Sequence, residues 1–293
     1  MNMGTRANTL NKVVGRLQDL PPMPEAVQEA MRLMESPNAD ASEISAAIER
    51  DPALTAKFLK LSNSSYYGLK RQVSSIRLAL VVLGMREVRN VLLGMAAFDV
   101  AHGRIQGDPL IQDLWRHSLE VAALSKKLGA ELHLGLQGED FVAGLLHDVG
   151  KAVMLFQFGQ KYRDLGRKAT PEEPLHVREK SEFEINHAEV GAALLQHWSL
   201  PEALVDALWF HHAENEMPLQ EAKDPSLAAV VRLANLASHD DFSAGPPNSR
   251  ACHDYDAWSQ LEDAPGAKPP DEWYEMLWPI KEEVRQLPLL AFD

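Results

Sequence analysis

The chain has 293 residues, 45% of them hydrophobic and 24% charged, with a formal net charge of −13, so it can bury one large core or two moderate ones. That charge opposes broad nucleic-acid binding, which rests on basic side chains meeting phosphates. The longest uninterrupted apolar runs, such as Leu78 to Leu83, are too short to span a bilayer. The N-terminal "MNMGTRANTLNKVVG" has no apolar stretch of signal-peptide length, and Cys252 is the one cysteine. Both point to a cytoplasmic location and to no membrane association.

In chain order the pattern is helical almost throughout. Asp40 and Glu43 have capping-box spacing before "ISAAIER". Asp51-Pro52 starts the next helix, with Leu54, Phe58 and Leu61 on its buried face. "SNSSYYG" ends it, Ser75 caps "IRLALVVLG", and Gly84 stops that helix. Further helices are expected over 86–100 and 110–128, and a mostly buried one over "FVAGLLHDVGKAVMLFQF". In "EINHAEVGAALLQHW", helical steps put His187, Val190, Leu194 and Trp198 on one inward face. "PEALVDALWFHHAE" begins with Pro201 in its first turn, and "SLAAVVRLANLASHD" is another apolar helix. Beyond Asp240, "SAGPPNS" and "APGAKPPDE" read as linker before a Trp-bearing helix over about 272–286. No period-two strand pattern is sustained, so the fold class is all-α.

The charge is uneven. Between Lys57 and Asn90, seven bases (Lys57, Lys60, Lys70, Arg71, Arg77, Arg86, Arg89) face the single acid Glu87, whereas Asp240 to Asp293 holds twelve acids and four bases. These are either two solvated faces or a basic surface that docks an acidic partner or phosphorylated ligand. In the second case Lys57, Arg71, Arg77, Arg86 and Arg89 are the candidate partner-binding residues.

His-Asp occurs three times, at 147–148, 239–240 and 253–254, so the dipeptide alone says little. The first pair differs in lying within an apolar run, where an unpaired carboxylate is costly to bury. On a continuous helix Lys151, four residues after His147, shares its face. Asp113 and His117 also share a face, His187 points inward, His211-His212 closes an apolar run, and Asn235 sits inside "VRLANLA". Imidazoles and carboxylates without thiolates suit Fe, Mn, Ni, Zn or Mg. Two such ions can activate water and clamp a phosphate. His102, His133, His176 and His197 are read as structural.

"RHSLEVAALSKKLG", "GLLHDVGK", "NHAEVGAALL" and "WFHHAE" resemble the successive helical motifs of the HD metal-dependent phosphohydrolases. By position, that resemblance implies His117, His147, Asp148, His187, His211 and His212 as ligands of one or two divalent metals. It also implies Lys151 as the phosphate contact, with Asp113 where a subset carries an additional acid. "LPPMPEAVQEAM", "IERDPALTAKFLKLSNSSYYG" and "VSSIRLALVVLGMREVRNVLL", continued by "HAEVGAALLQHWSLPEAL" and "VVRLANLAS", resemble the narrower HDOD (HD-related output domain) family. The resemblance implies an HD-like helical bundle over 17–240, with an N-terminal half to about 105 and an HD-like half from 106. Residues 1–16 form a leader and 241–293 an acidic extension. It also implies a bacterial regulatory role, by binding a signalling protein or small nucleotide without turnover. Asn235 stands where the phosphohydrolases carry a metal-binding aspartate, and a neutral amide is a poorer ligand for a hard cation. The Gly-Tyr-Pro motif of the cyclic-di-GMP phosphodiesterases does not follow His211-His212. The alternative is a metal-dependent phosphohydrolase acting on a nucleotide or cyclic dinucleotide through Asp148 and Lys151. Between the two lies a metal held for structure or sensing.

Overall fold

The computed structural model describes residues 21–36, 40–63, 72–102, 108–136, 138–212, 218–240, 249–269 and 272–286. Among them there are helices and no strand. The N-terminal half contains α1 (Glu25–Glu35), α2 (Ala41–Glu49), α3 (Pro52–Ser62), α4 (Ile76–Val82) and α5 (Met85–His102). The capping box of α2 forms as its spacing predicts: Asp40 accepts from Ser42 and Glu43 N–H at 2.7 and 2.9 Å, and Glu43 accepts from Asp40 N–H. Asp51 caps α3, Ser75 caps α4, and Gly84 turns the chain at φ 85°. Leu54, Phe58 and Leu61 are fully buried on α3, as their period requires.

The second half holds α6 (Pro109–Glu131), α7 (Glu139–Leu146), α8 (Val149–Gly166), α9 (Leu175–Phe183), α10 (His187–His197), α11 (Glu202–Trp209) and α12 (Pro225–His239). Helix α5 packs on α7 and α8 and so joins the halves, while α6 with α7, α6 with α12 and α8 with α10 are the most extensive helix pairs. His187, Val190, Leu194 and Trp198 all face the core.

The single helix expected over 141–158 is two. It breaks at His147-Asp148, where Asp148 leaves helical geometry (φ −101°, ψ 7°), and α8 kinks again at Gly159 (φ 52°, ψ −124°). Apolar periodicity cannot register such a break, because the pattern resumes on the other side. The stretch Glu139–Gly166 is long and apolar enough by composition to cross a membrane, which a search for uninterrupted apolar runs does not reveal; 78% of its most apolar window is buried in the core.

The Pro/Gly-rich stretch read as linker carries two short helices, α13 (Arg250–His253) and α14 (Tyr255–Ser259), before α15 (Trp273–Gln286). All three pack on α12 or α6. Buried Ala251, Trp258, Leu261, Trp273, Met276, Leu277 and Val284 drive that docking. The expected leader, 1–16, lies outside the described residues.

Candidate metal centre

Five imidazoles and one carboxylate converge between α6, the α7–α8 break, α10 and the end of α11. His117 comes from the middle of α6, His147 and Asp148 from the break, His187 from the first turn of α10, and His211 and His212 from just beyond α11. Two close approaches allow this. A Cβ on Gly144 would lie 2.8 Å from the Ala122 Cα on α6, and one on Gly150 would lie 1.9 Å from the His187 carbonyl oxygen on α10. Glycine at these positions brings the backbones bearing the donors together.

The ring orientations are set from behind. His147 Nδ1 donates to the Gly144 carbonyl at 2.7 Å, and His211 Nδ1 to the Leu208 carbonyl at 2.6 Å. His187 Nδ1 donates to Glu179 Oε2 at 2.6 Å. These bonds fix the tautomer and leave each Nε2 lone pair facing the pocket. There His147 Nε2 lies 3.2 Å from His117 Nε2, and His187 Nε2 lies 3.3 Å from His211 Nε2 and 2.8 Å from His212 Nε2.

Asp148 stands at the N-cap of α8, yet its side chain makes no cap hydrogen bond. It faces the imidazoles instead: Oδ1 is 3.2 Å from His187 Nε2 and 3.6 Å from His211 Nε2, and Oδ2 is 3.2 Å from His147 Nε2 and 3.4 Å from His117 Nε2. Oδ1 is buried without a hydrogen bond. Facing lone pairs and a buried carboxylate oxygen lacking a donor call for a cation. Two triads have their ligand atoms within 4.8 Å of one another, His117–His147–Asp148 and His187–His211–His212. The donor set therefore fits a divalent metal, with borderline imidazole-binding ions such as Zn, Fe or Ni ahead of Mg.

The electrostatics agree. Burial pushes the pKa values of His117, His211 and His212 well below the usual histidine range, and neighbouring imidazoles add to the shift. Burial alone would raise the Asp148 pKa; the neighbouring His147 imidazole and Lys151 ammonium outweigh it and hold the carboxyl well below its usual range. Burial would likewise lower the His187 pKa, but the Glu179 carboxylate and Asp148 raise it above its ordinary value.

The HDOD domain matches residues 20–214 of this sequence. The chain belongs to the HDOD family. A solved HDOD domain protein of unknown function from Geobacter sulfurreducens superposes with a TM-score of 0.73 at 26% identity, over 99% of this chain and 100% of its own. An uncharacterized protein of Treponema pallidum is 29% identical over 231 residues, which are 76% of this chain and 43% of that protein. Ribonuclease Y of Acholeplasma laidlawii is 28% identical over 164 residues, 55% of this chain and 22% of the enzyme. The chain thus spans less than half the length of either curated relative.

Against this HDOD frame, other candidates fall differently. Lys151 does not share a helical face with His147, because the break intervenes; its Nζ lies 2.6 Å from Asp148 Oδ2 instead. Asp113 is exposed, pairs with Arg116 at 2.5 Å and belongs to neither triad. Asn235 is buried on α12, outside both triads, and its carbonyl accepts from the Ser238 hydroxyl at 2.7 Å. The described basic residues have different surroundings. Lys57 pairs with Asp99, Arg77 and Arg86 are exposed around the α4–α5 turn, Arg89 lines a groove with Arg32, Arg50 and Trp198, and Arg71 lies outside the described residues.

Residues not singled out from the sequence complete the centre. Glu179 on α9 is fully buried and holds His187, and Tyr162 donates to its other oxygen at 2.5 Å. His176, read as structural, stacks on His212 with centroids 3.8 Å apart, and His239 stacks on His117 at 4.7 Å. The only sequence signal was the spacing of His239 after Asn235, one helical turn on the same face.

Proposed function

We propose that this protein is an HDOD-type regulatory module that binds a signalling partner or small nucleotide without catalytic turnover and holds one divalent metal in the histidine centre. The observation that carries the reading is the charge of the donor set. Five imidazoles surround a single carboxylate, Asp148, and that carboxylate is already paired to Lys151. One divalent ion already brings more positive charge than this set offsets, and a second would add two further uncompensated charges in low dielectric. Lys151, the phosphate contact implied by resemblance, is held on the ligand carboxylate. Asn235 adds no negative charge where a second carboxylate would be needed.

A bound metal would supply Lewis acidity and lower the pKa of a coordinated water. The chain's own residues would hold it: His147, Asp148 and His117 on one side, His187, His211 and His212 on the other. Partner binding would use the exposed apolar residues around the α4–α5 turn. Leu78, Val81, Val82 and Met85 are 37%, 75%, 48% and 42% exposed, with Arg77 and Arg86 beside them.

A second reading, a metal-dependent phosphohydrolase, is favoured by the retained histidines and Asp148 of the HD donor set and by the likeness to a protein named ribonuclease. Metal analysis of protein purified without chelator, beside a His147→Ala/Asp148→Ala variant, separates the readings. About one metal per chain, lost in the variant, with no hydrolysis of bis(p-nitrophenyl) phosphate or cyclic dinucleotides, is expected. Metal-dependent turnover abolished in the variant would establish the second reading, and no stoichiometric metal would remove the metal centre from both. Charge reversal of Arg77 and Arg86 is expected to weaken partner capture while leaving the metal content unchanged.

A further inference from the structure

Lys281 is a buried amine that the centre does not use. It lies on α15, is 2% exposed, and sits at the C-terminal end of α12. Its Nζ donates to the carbonyls of Ala237, Ser238 and Asp240 at 2.5, 2.9 and 2.6 Å. Those carbonyls belong to the last turn of α12 and its cap, where carbonyls lack a full set of intrahelical donors; that of Ala237 also accepts the Asp240 N–H at 3.3 Å. A cation placed there also meets the negative end of the helix dipole.

That same turn touches the metal centre. Ser238 Oγ lies 3.5 Å from His117 Nδ1, and the His239 ring stacks on the His117 ring, 4.7 Å between centroids and 29° between planes. His147 and His211 are oriented by backbone carbonyls of their own turns, and His187 by Glu179. His117 has its Nδ1 facing Ser238 and its ring face against His239, so among the four its support comes most from α12. The chain of contact runs from α15 through Lys281 to the α12 terminus, then to His117, then to Asp148. All of α12 and α15 lie outside the residues matched by the HDOD domain.

We propose that the C-terminal extension is a built-in control element of the metal centre, with Lys281 the positioning residue that couples docking of α15 to the placement of His117. This rests on the reading of the cluster as a metal site. Coupling of this kind is reciprocal: an extension that tightens metal binding by a given factor is itself held down by bound metal by the same factor. A ligand or partner that lifted α15 would loosen the metal, and metal loss would loosen α15.

The full chain and its Lys281→Met variant, which keeps the apolar stem and removes the donors, are titrated with Zn²⁺ against a chelating dye, and the C-terminal segment is followed by limited proteolysis. The variant is expected to bind Zn²⁺ about 10-fold more weakly. Zn²⁺ should slow cleavage within 249–286 in the parent and much less in the variant. Parent-like affinity in a folded variant overturns the coupling. If Lys281→Met does not fold, a Ser238→Ala/His239→Ala variant with Lys281 intact decides: weakened Zn²⁺ binding supports the path through His117, and parent-like binding overturns it. If the parent itself binds no Zn²⁺, the metal reading fails separately. The imidazole NMR signal of His117 in the metal-free protein, assigned with His117→Gln, then decides whether α15 positions this ring. A shift in Lys281→Met upholds the positioning, and an unmoved signal overturns it.

Discussion

Glu179 accepts two hydrogen bonds from one residue, the N–H and the Nδ1–H of His187, at 2.8 and 2.6 Å. Burial alone would raise its pKa, but the His187 ring, those bonds and the Tyr162 hydroxyl hold it below the usual carboxylate range. An ionised carboxylate behind a ligating imidazole raises the basicity of Nε2 and fixes the ring. Glu179→Gln is therefore expected to weaken Zn²⁺ binding about 10- to 100-fold, and Tyr162→Phe by less, in the same dye competition. Asp140 behaves oppositely. Burial lifts its pKa from 3.8 to about 6, so the folded chain keeps this proton at pH values where the unfolded chain has lost it. Its penalty is thus fully present above pH 6 and disappears as pH falls toward 4. Asp140→Asn should raise stability by roughly 1–3 kcal/mol at pH 8 and by little at pH 4, measured by urea unfolding at both. The histidines of the centre were legible because imidazoles interrupt apolar runs. Glu179 was not: "LHVREKSEF" looks like a solvated helix, and only the approach of α9 to α10 buries that one acid.

At the scale of elements, caps and inward faces followed from local spacing, because each is decided within a few residues. The break at His147-Asp148 was hidden because it depends on partners 30 to 60 residues away. Asp148 gives up its capping role to face imidazoles from α6 and α10, and Gly150 lets α10 close over it. A Cβ at Gly150 would meet backbone, the His187 carbonyl at 1.9 Å and the Gly191 nitrogen at 2.7 Å, which cannot rotate aside. Gly150→Ala should therefore cost about 2–4 kcal/mol and displace His187, lowering metal content together with Tm. Gly166→Ala is the control. A Cβ there meets nothing within 4 Å, so the helix-favouring substitution should be neutral or stabilise by up to ~1 kcal/mol.

For the whole molecule, the question is whether the acidic C-terminal region is an appendage or part of one cooperative unit. Its composition resembles a solvated tail, yet its acids neutralise specific bases of the core. Arg232, 4% exposed on α12, donates to both oxygens of Asp254 at 2.6 and 3.0 Å and to Asp256 at 3.1 Å, and Lys127 pairs with Glu283. Trp258 stacks on Trp273 with centroids 4.4 Å apart and donates to the Ala251 carbonyl at 2.9 Å, which locks α13, α14 and α15 together. A buried guanidinium that loses its partner leaves an uncompensated charge, so Asp254→Ala should cost about 3–5 kcal/mol. Replacing both partners, Arg232→Met with Asp254→Leu, should cost much less, because no charge is then stranded. Urea unfolding followed by tryptophan fluorescence and by far-UV circular dichroism checks this. Three of the six tryptophans (Trp258, Trp273, Trp278) report on the extension, whereas the dichroism is dominated by the helices of residues 25–239. One unit requires that both signals shift together in Asp254→Ala, with coincident midpoints. An early fluorescence transition that leaves the dichroism midpoint at its parent value would mean that the extension unfolds by itself and that the Arg232–Asp254 pair stabilises only its docking.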